Sequence, residues 1–252
     1  MLLGDRVRWP HVEVVPDDED RALLVVVSRG GRTSLLGRGD PDAAVRLVER
    51  WLGEGGTAGG VPPLRWMSLP RGGSVPRAVL DGLGLAPFST WDWMHTDRAP
   101  AAVGGVDVAR LDPVADAPAI RACLAVANPG TTADPTHPEE AGWFGVRDGS
   151  RLLGVFGASW RGGPAPDEER DEPSRRSWHL HGLAVLPEAR RRGLGAALTA
   201  AATQAGLDAG AAWVSLGLYA DNDAARRIYT DLGFVVDGEF RSFGPPGADR
   251  PA

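Results

Sequence analysis

Residues 178–197 read WHLHGLAVLPEARRRGLGAA, and the fold is decided in them. Residues 177–185 alternate and carry branched side chains, so they predict a strand. Pro187-Glu188-Ala189 turns the chain, and a helix is expected over about 193–208. Between them stand Arg190, Arg191, Arg192, Gly193, Leu194 and Gly195. A helix N-terminus leaves backbone N–H groups unpaired and carries partial positive charge, which suits a phosphate. Glycines there let an anion approach the backbone, and arginines add forked donors. Three readings compete for this stretch alone. A dinucleotide fingerprint wants a third glycine, but Leu198 stands three after Gly195. A P-loop needs a lysine, and the chain has none. A solvated turn with surface arginines is the third.

Residues 216–234, LGLYADNDAARRIYTDLGF, bear on the choice. A strand, an Asn, a helix with a Tyr near its end and then Leu-Gly-Phe resemble the second signature of the GNAT acetyltransferases. Arg190–Gly195 matches that family's (Gln/Arg)-x-x-Gly-x-(Gly/Ala) loop, and the two motifs stand in family order. The resemblance covers residues 105–243 at the level of fold and 178–234 at the level of motif. It implies acetyl-CoA as acyl donor, lying where the strand carrying Leu183, Ala184 and Val185 splays from the strand at 212–219. Backbone groups of Leu183 and Val185 are then expected to pair with the acyl carbonyl and the pantetheine arm. Those of Arg191, Arg192, Gly193, Leu194, Gly195 and Ala196 are expected to hold the pyrophosphate, and Asn222 to border the cofactor arm.

The chemistry supplies the next candidates. An amine is mostly protonated at neutral pH and cannot attack a thioester until a base takes its proton. His179 and His181 sit two apart on the expected strand, so they share a face, and imidazole titrates in the right range. The pattern His179-Leu180-His181-x-Leu183-Ala184-Val185 resembles arylalkylamine N-acetyltransferases, which implies a paired proton relay. Tyr229 matches the family tyrosine that protonates the departing thiolate, and the Val185 N–H is expected to meet the oxyanion. Glu139 and Glu140 precede Gly142-Trp143 and read as solvated loop acids, with a place at the border of the acceptor pocket as the alternative. The acidic run 167–172, within a charged stretch at 161–176, reads as a solubilising loop, with attraction of a cationic amine as the alternative.

Outward from the site, residues 101–252 predict the order β-α-β-β-β-α-β-α-β: strands near 106–110, 142–159 (a hairpin about Asp148-Gly149), 177–185, 212–219 and 234–240, with helices near 115–126, 193–208 and 222–232. That is an α/β GNAT fold with a mixed central sheet and helices on both faces. Residues 1–100 form a small α/β domain with strands near 22–28, 64–69 and 89–96 and helices near 41–52 and 76–83. Its Gly82-Leu83-Gly84-Leu85 close is similar to the end of a GNAT domain, so it reads as a degenerate GNAT-like or an unrelated capping unit. Its expected task is to cover a sheet edge and wall the acceptor pocket.

Composition sets the limits. The net charge of -6 argues against a nucleic-acid partner. No apolar run of membrane length occurs, and the N-terminal stretch lacks a signal-peptide pattern, so a cytoplasmic protein is expected, as a monomer or homodimer. One cysteine, Cys123, permits neither an internal disulfide nor a cysteine-based zinc site, and no metal is expected. All 27 basic residues are arginine, which excludes lysine Schiff bases. The expected function is transfer of an acetyl group from acetyl-CoA to an amine, small molecule or peptide, by direct attack in a ternary complex. The rival is a non-catalytic acyl-CoA-binding regulatory module. A thioesterase-like activity and an inert scaffold stand behind it.

Overall fold

The computed structural model describes residues 11–29, 32–56, 64–162 and 176–248. In chain order the elements are β1 (His11–Pro16), β2 (Ala22–Arg29), β3 (Arg32–Gly39), α1 (Pro41–Gly53), β4 (Leu64–Pro70), α2 (Arg77–Leu83) and β5 (Ala86–Thr96). Then come β6 (Ala109–Leu111), α3 (Ala117–Ala127), β7 (Glu140–Asp148), β8 (Arg151–Arg161), β9 (Ser177–Val185) and a 3-10 turn (Pro187–Ala189). The chain closes with α4 (Leu194–Asp208), β10 (Trp213–Tyr219), α5 (Asp223–Asp231) and β11 (Val235–Gly244). The α/β order expected for residues 101–252 is present, and the sheet is mixed. The acidic run 167–172 lies outside the described residues.

Local chemistry explains the elements. Asp40 caps α1, its carboxylate accepting from the Ala43 N–H at 2.8 Å, and Pro41 occupies the first turn. Gly149, with φ 58°, closes the β7–β8 hairpin. Helix α4 is apolar on nearly every side because it is buried along most of its length. It packs so closely on β9 that a Cβ on Gly206 would come within 2.6 Å of the Trp178 ring. Asn222 caps α5 by accepting from the Ala225 N–H.

The eleven strands form one sheet in the order β1-β2-β3-β4-β11-β5-β10-β9-β8-β7-β6. The expectation of an N-terminal unit covering a sheet edge therefore takes another form. Strand β5 lies between β10 and β11, antiparallel to both, and β11 lies between β5 and β4. The last strand of each half is thus inserted against the other half. Met94 of β5 packs in the core of the C-terminal half, and Phe243 of β11 packs in the core of the N-terminal half. The connectivity is repeated as well. β2 and β3 are antiparallel, β3 and β4 are parallel across α1, and α2 leads to β5. In the same way β8 and β9 are antiparallel, β9 and β10 are parallel across α4, and α5 leads to β11.

Strands β1 and β3 were not expected from the sequence. β3 reads RTSLLGRG, and its glycines resemble a loop. Gly37 is needed because Leu69 approaches within 2.7 Å of where a Cβ would stand. Gly39 has φ 95° and leads into the cap of α1.

Candidate active site

Strands β9 and β10 pair only over Ser177–Leu180 and Trp213–Leu216, and they separate beyond those residues. The opening is a cavity of about 480 Å³, lined among others by His181, Leu183, Gly217, Asn222 and Tyr229. A bulge shapes its edge. Gly157 pairs with His181 and Val155 with Ala184, so Gly182 and Leu183 together oppose Phe156. Gly182 has φ 67°, and a Cβ there would come 2.9 Å from Ala133. Both facts demand glycine. Beyond the bulge, Leu186 N–H donates to Leu153 O on the β8 side. Backbone groups alternate along a strand, so the Val185 N–H points the other way, into the gap. The Val185 carbonyl accepts from Arg190 Nε at 3.2 Å, and the Leu183 carbonyl accepts from Asn128 Nδ2 at 3.3 Å. Asn128, at the end of α3, is a cavity residue that the sequence reading missed.

The loop expected to hold the pyrophosphate leads into α4. Helix α4 begins after Gly193, whose φ is 77°, and no side chain caps it. Arg191 also adopts a left-handed conformation, φ 61°, which is rare for a residue with a side chain. Two such turns beside an uncapped helix start aim successive N–H groups at one spot, a nest for an anion. A Cβ at Gly193 would meet nothing within 4 Å, so the spot is open. Arg190, Arg191 and Arg192 are exposed around it, with Leu194 turned into the core. Gly195 and Ala196 form the first turn. These residues fit a pyrophosphate, and the cavity beside them fits an extended thiol arm.

The two histidines have different surroundings. His181 Nε2 lies 3.2 Å from Glu140 Oε1 and lines the cavity. Glu140 begins β7 and its side chain is only 9% exposed, so it is not the solvated loop acid that its place in the sequence suggested. The signal was faint: a Glu just before an alternating run. His179 lies two residues back on β9, its ring stacked on Trp93 with centroids 4.8 Å apart and its Nδ1 3.3 Å from Ser215 Oγ. The histidine rings are 6.4 Å apart. Trp93 comes from β5, so the N-terminal half touches the face that carries the histidines.

Tyr229 is buried on α5, beside Phe234, and its hydroxyl pKa is raised by burial. It stays protonated at neutral pH, as a proton donor must. Asn222 lines the cavity, with its side-chain oxygen committed to the cap of α5. Among the described residues no cluster of His, Cys, Asp and Glu could hold a metal. No helix among them is long and apolar enough to cross a membrane.

The model of the acetyltransferase (GNAT) family matches residues 119–234. Over 98% of its length the chain is 31% identical to the mycothiol acetyltransferase of Cellulomonas flavigena, covering 73% of that protein. Over the same share it is 29% identical to the mycothiol acetyltransferase of Nocardiopsis dassonvillei, covering 81% of that protein. The chain belongs to the GNAT acetyltransferase family. A solved GCN5-related N-acetyltransferase from Kribbella flavida has the same fold, with TM-score 0.57 at 22% identity over 98% of this chain and 93% of that one. This GNAT chain is accordingly an acetyltransferase, and its family uses acetyl-CoA as donor. Its relatives here are named for mycothiol, and the likeness of His179-Leu180-His181 to arylalkylamine enzymes stays one of motif.

Proposed function

We propose that this GNAT chain transfers the acetyl group of acetyl-CoA directly to a primary amine, with His181 as general base and Tyr229 as general acid. The observation that carries the reading is the placement of both groups on one cavity at the splay of β9 and β10. Glu140 supports His181 as the base. With Nε2 beside the carboxylate, Nδ1 is the nitrogen left to take the amine proton. The freed amine attacks the thioester carbon, and the Val185 N–H stabilises the oxygen that gains charge. As the C–S bond breaks, the sulfur takes the electron pair and the proton of the Tyr229 hydroxyl. His179 holds its place through Trp93 and Ser215, and its role is to orient His181 and the acceptor.

Arg190, Arg191, Arg192, Gly193, Leu194, Gly195 and Ala196 hold the pyrophosphate in this reading, and Leu183, Ala184, Val185 and Asn222 the arm. The names of the relatives favour a mycothiol-related amine over a peptide. The N-terminal half is read as a degenerate GNAT unit, residues 1–100, that holds no donor. Asp40 puts a carboxylate at the start of α1, where α4 has its open nest, and Leu69 and Pro70 crowd the glycine of β3. A regulatory CoA-binding module would need neither a buried tyrosine in the cavity nor a paired histidine. The test is CoA thiol release with and without amines: amine-dependent release supports the transferase, and tight CoA binding without release for any amine supports the module.

A further inference from the structure

Asp92 is buried to 1% exposure on β5, a strand of the N-terminal half, and it faces two arginines. Arg71, at the end of β4, pairs with its Oδ1. Arg226 Nη2, on α5, lies 2.5 Å from its Oδ2 and also donates to the Ala220 carbonyl at 3.1 Å. We infer that Asp92 is a positioning residue for the reaction: through Arg226 it fixes the roll of α5 and so the place of the Tyr229 hydroxyl. The inference rests on the reading of Tyr229 as the acid.

Helix α5 is a short element with few other ties. It has nine residues, and Tyr229 is its one fully buried side chain. Asn222 caps its start, Ile228 stands 3.5 Å from where a Cβ on Gly195 of α4 would be, and the Tyr229 ring lies beside Phe234. Arg226 stands one turn before Tyr229, so the two side chains leave the helix on neighbouring faces. Arg71 donates a hydrogen bond to this carboxylate, whereas Arg226 meets it as an ion pair without hydrogen-bond geometry, so the tie to α5 is one of charge at short range in a site shut away from water. The strand carrying it reaches the opposite face too, where Trp93 stacks on His179. One inserted strand therefore braces the acid from one side of the sheet and the histidines from the other.

The experiment is a double-mutant cycle of Asp92→Asn and Tyr229→Phe in the full chain, with kcat, KM and CoA binding measured for each variant. Misplacement of the acid predicts a kcat loss of about tenfold to a hundredfold for Asp92→Asn. CoA binding changes little, because the phosphate loop is on α4. On the Tyr229→Phe background the same change should cost less than about twofold, since the group being placed is gone. Arg226→Met, which leaves Asp92 paired with Arg71, should repeat the loss if the Asp92 variant fails to fold. Equal losses on both backgrounds, or unchanged kcat in a folded Asp92→Asn or Arg226→Met enzyme, overturn the inference. Full turnover by Tyr229→Phe alone removes the acid reading and this inference with it.

Discussion

At the scale of the residue, the proposal of His181 as the base rests on the pair of His181 Nε2 and Glu140 Oε1 at 3.2 Å. In that proposal the carboxylate fixes the tautomer, so its loss leaves the ring in place without its partner. His181→Ala should lower kcat by about a hundredfold or more, with CoA affinity nearly unchanged. Glu140→Gln should cost about tenfold by the same assay. A His181→Ala enzyme with wild-type kcat would move the base elsewhere. Gly182 makes a second residue-scale prediction. Its φ of 67° and the 2.9 Å approach to Ala133 leave no room for a side chain. Gly182→Ala should cost about 1–2 kcal/mol from the backbone alone, and more from the clash. It should appear as a lower Tm together with lost turnover, because the bulge also sets the gap-facing amides.

At the scale of the element, the start of α4 and the splay of β9 and β10 make the proposed donor site. Gly193→Asp would place a carboxylate at the proposed phosphate nest, and KM for acetyl-CoA should rise about tenfold or more while the fold persists. An unchanged KM would show that the pyrophosphate lies elsewhere. These elements were legible in the sequence because each carries its own local signal. The arginine–glycine loop, the Asp148-Gly149 turn and the stripe after Asp40-Pro41 all sit where the chain says. The partners of Glu140, Asn128 and Asp92 were not legible. Each acquires its role from a partner far away in sequence: His181, the Leu183 carbonyl and Arg226. β3 was missed for a related reason, since Gly37 is explained by Leu69 and not by its neighbours in the chain.

At the scale of the whole molecule, the inserted strands β5 and β11 join the halves into one sheet. Removing residues 1–100 would strip β10 and β11 of their shared neighbour and bare two long strand edges. The remaining 101–252 piece should be insoluble or unfolded, and the full chain should unfold in one transition. A folded, active 101–252 piece would refute this. Alkaline pH supplies a further check. Burial pushes the Cys123 thiol up to about 11 from an ordinary value of 9.0 and raises the Tyr229 hydroxyl above 10.0. Both folded pKa values lie above the unfolded ones, so their contribution to stability is whole below pH 9 and fades as pH climbs. Chemical denaturation midpoints should therefore fall between about pH 9 and 11, and a midpoint flat across that window would count against it.

The central claim is amine-dependent acetyl transfer at the β9–β10 splay. Its most direct measurement is free-thiol release from acetyl-CoA against a panel of amines, including mycothiol-related ones, for wild type, His181→Ala and Tyr229→Phe. Cys123 is buried and its thiol pKa raised, so the released CoA is the thiol that is read. The account predicts release that requires an amine and falls sharply in both variants while CoA binding persists. Release that ignores the amine, or that both variants sustain in full, would contradict it.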